Sequence, residues 1–77
     1  MNLGFPDQRI GDRIKEYYPT GARVELVRMN DTYIRISPGT MGTVLSVDDI
    51  GTIHVRWDNG YMLGVAYGVD EARRVKE

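Results

Sequence analysis

Residues 39–65, GTMGTVLSVDDIGTIHVRWDNGYMLGV, constrain this chain more than any other stretch. They read as three consecutive β-strands joined by two tight turns. Asp48, Asp49, Ile50 and Gly51 form the first turn, and Asp58, Asn59 and Gly60 form the second. Asn-Gly is a strong hairpin signal because both residues tolerate positive φ. Between the turns, Ile53, Val55 and Trp57 alternate with Thr52, His54 and Arg56, the period of a strand with one buried face. A meander of this kind predicts the core of a small barrel, whose rim is where such folds bind their ligands.

The flanks extend the pattern. Residues 22–29 read as a first strand, with Val24 and Leu26 on one face and Arg23, Glu25 and Val27 on the other. Residues 30–38 form a loop with a short extended piece around 33–36. Residues 42–47 and 61–65 are strands of the meander, and Arg73, Arg74 and Val75 close the sheet. Residues 6–18, PDQRIGDRIKEYY, predict a helix opening at Pro6, with Asp7 at the positive end of its dipole. Ile10, Ile14, Tyr17 and Tyr18 form its apolar stripe. Gly11 weakens it by ~1 kcal/mol relative to Ala, and Pro19 and Gly21 stop it. A helix this short is marginal alone, so its stripe must pack on the barrel's open end or on its counterpart in a homo-oligomer. The expected fold is mainly β: a small five-stranded Src-homology-3-like barrel over residues 22–75, with one N-terminal α-helix, the 77 residues forming one domain.

Composition narrows the function. A chain of 77 residues buries only ~60–65% of its unfolded surface, so its core is thin. It has no cysteine, which excludes disulfides and a cysteine zinc site. Ten Lys and Arg against eleven Asp and Glu argue against dedicated nucleic-acid binding, although Arg23, Arg28, Arg35 and Arg56 offer a local basic patch. The longest apolar runs are too short for a membrane span, and Met1 to Phe5 carry no basic leader. The expected location is the cytoplasm.

Several elements resemble a family known as domain of unknown function 4314. They are Gly21-x-Arg23-Val24-x-Leu26, Met29-Asn30-Asp31, Pro38-Gly39-Thr40-x-Gly42-Thr43-Val44, the run from Val47-Asp48-Asp49 to Trp57-Asp58-Asn59-Gly60, and Gly68-x-Asp70. The helix ahead of them is similar too. The chain departs at Tyr61-Met62, where the family commonly places a small polar residue. The resemblance implies a phage or mobile-element setting and no particular activity. The segment from Gly42-Thr43-Val44 to Gly60 also resembles the barrel of the Mind bomb/HERC-type domain of ubiquitin ligases, which implies peptide binding.

The candidate chemistry is sparse. His54 is the only histidine, and no linked Ser, Cys or second His offers a nucleophile and base, so no catalysis is expected. One His with scattered carboxylates is a weak metal signal, and no metal or cofactor is expected. Asp48, Asp49 and Asp58 read as turn formers that bond their own backbone. The glycine-rich stretch 38–43 lacks the following Lys of a nucleotide-hydrolase loop. It reads as a turn, or as a nest of backbone amides with Thr40 and Thr43 beside it. Trp57 falls on the core face; on the rim it would instead anchor a peptide or base. Tyr33, Tyr61 and Tyr67 lie in loops or at strand ends.

Two expectations follow. Arg28, Arg35 and Arg56 converging with Tyr33, Tyr61 and Tyr67, with Thr40 and Thr43 as further ligand-binding residues, would hold a small anionic, nucleotide-like ligand, so that the protein sequesters a signal. Alternatively, a groove around Tyr33, Trp57 and Tyr61 takes a peptide or partner protein.

Overall fold

The computed structural model describes residues 8–30 and 36–75. Helix α1 spans Gln8–Tyr17. Five strands follow: β1 Arg23–Arg28, β2 Met41–Val47, β3 Ile53–Trp57, β4 Met62–Val65 and β5 Glu71–Arg74. They form one antiparallel sheet in the order β4-β3-β2-β1-β5. The meander thus continues onto β1, and the last strand returns to β1's free edge, as expected of a small Src-homology-3-like barrel. The expected piece around 33–36 falls mostly outside the described residues, as do Pro6 and Asp7. The last strand begins two residues earlier than its sequence suggests, because Glu71 and Ala72 already pair with Arg28 and Leu26 across a bulge in β1.

Alternation places the core. Val24 and Leu26 of β1, Val44 of β2, Val55 and Trp57 of β3 and Val65 of β4 are buried together, joined by Ala22, Ile36 and Ile53. Burying one Val or Leu side chain contributes about 1.5–3 kcal/mol. Trp57 is 1% exposed, and its indole N–H donates to the Leu63 carbonyl at 3.1 Å, which satisfies its polar atom. The ring fits because β2 carries Gly42 beside it. A Cβ there would lie 2.5 Å from Val55 Cγ1 and 2.8 Å from Trp57 Cε3.

The two meander turns form where expected. At the first, the Gly51 amide donates to the Asp48 carbonyl at 3.1 Å. At the second, the Gly60 amide donates to the Trp57 carbonyl at 2.9 Å and the Trp57 amide to the Tyr61 carbonyl at 2.8 Å. Gly60 has φ 98°, the geometry of a type I turn closed by a glycine bulge.

Helix α1 docks on the first turn. Gly11 is buried there, and a Cβ on it would meet the Asp49 carbonyl oxygen at 2.8 Å. The glycine costs helix stability but lets the helix backbone approach the turn. One turn later, Lys15 Nζ donates to Asp49 Oδ1 at 2.6 Å. Ile14 and Tyr18 pack against the core. Tyr17 departs from its expected place on the stripe and is 58% exposed. Its ring meets that of Tyr18 edge-to-face, and Arg74's guanidinium lies over it, 5.9 Å from the ring centre.

Candidate functional site

The sheet's two end strands, β4 and β5, do not pair with each other among the described residues. Residues 66–70 bridge them in a tight turn, in which Val69 and Asp70 amides donate to the Ala66 carbonyl at 3.1 and 3.0 Å. Beneath this bridge lies a cleft of about 240 Å³. Ile14 of α1 and Tyr18 just beyond its end form one wall, with Ile53, Val65, Tyr67 and Ala72 around the rest. The charged residues at its edge are Asp70 and Glu71.

Asp70 and Tyr18 have structural duties in the cleft. Asp70 Oδ1 accepts the Asn30 amide at 2.9 Å and Oδ2 the Ala66 amide at 3.0 Å, so one carboxylate ties the bridge to the end of β1. The Tyr18 hydroxyl donates to the Ala72 carbonyl at 3.4 Å. Burial, with Tyr17 alongside, raises the Tyr18 phenol above its ordinary value and keeps it a donor. Glu71 lies 3.9 Å from Arg28 and is largely exposed. Tyr67 stands at the mouth, 50% exposed.

The expected ligand-binding residues divide among separate places. Thr43, Arg56 and Met62 are register partners across β2, β3 and β4 on the sheet's outer face. Tyr61 is nearby, its amide taken by Asn59 Oδ1 at 3.2 Å. Arg23, on the other side of Thr43, is committed. Its Nη1 reaches Thr43 Oγ1 at 2.9 Å and Asp58 Oδ1 at 2.8 Å, and its Nη2 reaches Asp58 Oδ2 at 2.5 Å. That fork holds the Asp58 carboxyl below its ordinary value.

Arg28 lies at the far end of β1 beside Glu71. It is five positions along β1 from Arg23, and Arg23 is itself two strands from Arg56. At ~3.4 Å per residue the backbone positions of Arg28 and Arg56 lie more than about 15 Å apart along the strands, and the Arg28 guanidinium is turned to Glu71. The expected convergence of Arg28 with Arg56 is therefore corrected. Trp57, offered as a groove anchor, is corrected to a core residue by its burial. Thr40 is half-buried, and the 39–40 backbone is already paired. Gly39 donates to the Leu26 carbonyl at 2.7 Å and Thr40 to the Ser37 carbonyl at 3.1 Å. Those two amides cannot form the nest considered above. Tyr33 and Arg35 lie outside the described residues.

His54, in β3, bonds back to the first turn. Its Nε2 is 3.0 Å from Asp48 Oδ2, while Asp48 Oδ1 accepts the Ile50 and Thr52 amides at 3.1 and 2.9 Å. Burial pushes the Asp48 carboxyl up, but the His54 ring and the Thr52 and Ile50 amides together hold it below its ordinary value. Among the described residues no three His, Asp or Glu side chains gather as a metal site. Nor is any helix there long and apolar enough to cross a membrane.

The cleft itself escaped sequence reasoning. Its walls come from three separated stretches, 14–18, 51–53 and 65–72, and only the docking of α1 brings Ile14 and Tyr18 over Val65 and Ala72. Two signals were present, the helical glycine at position 11 and Gly68-x-Asp70, but each reads locally as a flaw or a turn.

No curated protein and no solved structure matches the chain. The family model described as "Domain of unknown function (DUF4314)" matches residues 7–75, which span α1 and all five strands, and the chain belongs to that family.

Proposed function

We propose that this protein is a non-catalytic recognition module that binds a peptide segment of a partner protein by seating one apolar side chain in the cleft between α1 and the 66–70 bridge. The observation that carries this reading is the character of the cleft. Its walls are aliphatic and aromatic, and the charges at its edge are the carboxylates of Asp70 and Glu71. Such a site suits an apolar anchor followed by a basic residue. In the phage or mobile-element setting that the family resemblance implies, the module would act by occupying a host protein.

Nucleotide sequestration draws less support. An anionic ligand needs cations around a concavity, whereas Arg28 and Arg56 lie apart and the cleft's edge is acidic.

The test is selection from a displayed library of random nine-residue peptides, followed by calorimetry. Enrichment of an aromatic or aliphatic residue beside Lys or Arg supports the reading, with binding weakened about tenfold by Tyr67→Ala, a typical cost for a truncated aromatic contact. A library without enrichment, alongside a clear thermal shift with one nucleotide, would replace this reading with sequestration.

A further inference from the structure

The sheet's two free edges are built differently. The β5 edge carries Glu71, Arg73 and Arg74. Arg73 Nη2 pairs with Glu25 at 2.5 Å and Arg74 Nη1 donates to the Tyr17 carbonyl at 3.1 Å. Charged side chains of this kind keep other strands off an edge. The β4 edge reads Met62-Leu63-Gly64-Val65, with no charge and no proline.

The hydrogen-bond phase of β4 identifies what this edge offers. Trp57 donates to the Tyr61 carbonyl. Antiparallel alternation then places the next exchanges at Val55 with Leu63 and Ile53 with Val65. Met62 and Gly64 therefore turn their N–H and C=O groups away from β3, and none of these has a partner among the described residues. The edge is closed at both ends. The Tyr61 amide is held by Asn59 Oδ1, and Ala66 spends its amide on Asp70 and its carbonyl on Val69 and Asp70. What remains is a two-residue template of alternating donors and acceptors that runs straight into the cleft, whose wall includes Val65 and Ala66.

We infer that the partner segment binds as an added strand on β4, in a register set by Met62 and Gly64. This rests on the peptide reading above and specifies its mode. An extended backbone is the occupant that matches free N–H and C=O groups at strand spacing. Side-chain phase then dictates its sequence. The residue opposite Met62 shares the outer face with Arg56, which is exposed and makes no ion pair among the described residues, so a carboxylate belongs there. The residue opposite Val65 lies three positions along, ~10 Å away, and faces inward to the cleft, so an apolar anchor belongs there. The edge closes at Ala66, so beyond the anchor strand phase no longer fixes the next side chain, and a basic residue there answers Asp70 and Glu71. The recognised segment therefore carries a carboxylate three residues from an apolar anchor, with Lys or Arg next to that anchor on the far side. A second copy of this chain is a poorer occupant, since two four-residue edges bury far less than the roughly 1,000 Å² of a stable interface.

The probes are the nine-residue peptides recovered from the library. Each is remade with a single N-methyl group at every position in turn and titrated against the whole protein. Met62→Pro is tested beside them, because that position's N–H points away from β3 and proline is tolerated on such an edge. The inference expects the acidic, apolar and basic spacing given above. It expects losses of about tenfold at alternate N-methyl positions only, and a similar loss with Met62→Pro, the usual scale for one hydrogen bond removed with its partner left unpaired. Peptides that bind and respond to Tyr67→Ala, yet tolerate every N-methyl group, would sink the added strand and leave the cleft reading standing. That arm holds even if Met62→Pro fails to fold. Concentration-dependent dimers in sedimentation that Met62→Pro abolishes would assign the edge to a second copy and overturn the proposal. A library without enrichment removes both readings.

Discussion

The two turns of the meander begin with similar residues and end in different roles. Both start at an Asp and close at a Gly with positive φ, 85° at Gly51 and 98° at Gly60. The 48–51 turn is a junction. Asp48 gathers two backbone amides and His54, Asp49 receives Lys15, and the turn's backbone meets α1 at Gly11. The 58–60 turn is a terminus. Gly60 has open space around the position of a Cβ, and the turn's main tie is the Arg23 fork on Asp58. Local sequence therefore specifies turn geometry, while the neighbouring helix decides which turn organises the molecule. The cleft is at the junction end, and Gly51 is part of its lining.

The largest contrast should come from Gly11 and Gly60. Gly11→Val places a branched side chain against the Asp49 carbonyl and should destabilise by about 2–3 kcal/mol, the cost of overpacking a close contact. Gly60→Ala meets no atom and should cost about 1 kcal/mol for its left-handed backbone alone. Urea unfolding monitored by Trp57 fluorescence measures both. Equal losses would mean that the helix does not depend on the turn.

Removal of the turn carboxylates sharpens the comparison further. Asp48→Ala strips two amides and His54 of their acceptor and should cost about 1 kcal/mol, the net worth of part-exposed hydrogen bonds. Asp58→Ala removes an exposed pair and should move the urea midpoint less.

Acid should reveal the same junction. Both Asp48 and Asp58 have carboxyls held below their ordinary value of 3.8. A carboxyl lowered by folding stabilises above its unfolded pKa, and that contribution is lost as pH falls through the lower folded value. Thermal midpoints should be flat with respect to these groups near neutrality and should fall below about pH 4. Asp48→Asn, which cannot ionise, should flatten that fall more than Asp58→Asn does. The reverse order would place the sensitive turn at the other end. The smallest effect is expected from Lys15→Ala, whose exposed pair with Asp49 should matter only at low salt.

Much of this architecture was legible from local patterns. The alternation of Ile53, Val55 and Trp57 identified the core face of β3, and Asn59-Gly60 identified its hairpin. These signals act over a few residues, where backbone sterics and side-chain phase leave little choice. Placement that depends on distant segments was not legible. Nothing local to Arg28 shows that a bulge and β5 carry it to Glu71, away from Arg56. Nothing local to Gly11 shows that a turn nearly forty residues later needs the space of its missing side chain. Tyr17 shares helical spacing with Ile10 and Ile14, yet Tyr18 alone of the two tyrosines faces the barrel. The candidate site is assembled from such long-range contacts and so emerged only with the fold.

The most direct measurement is an amide chemical-shift titration of the isotopically labelled protein with a library-selected peptide. The account predicts perturbations concentrated at the junction end and along β4, at Ile14, Tyr18, Gly51, Gly64, Tyr67 and Ala72. Perturbations confined to Thr43, Arg56 and Tyr61 at the opposite end, with the cleft amides unmoved, would contradict it.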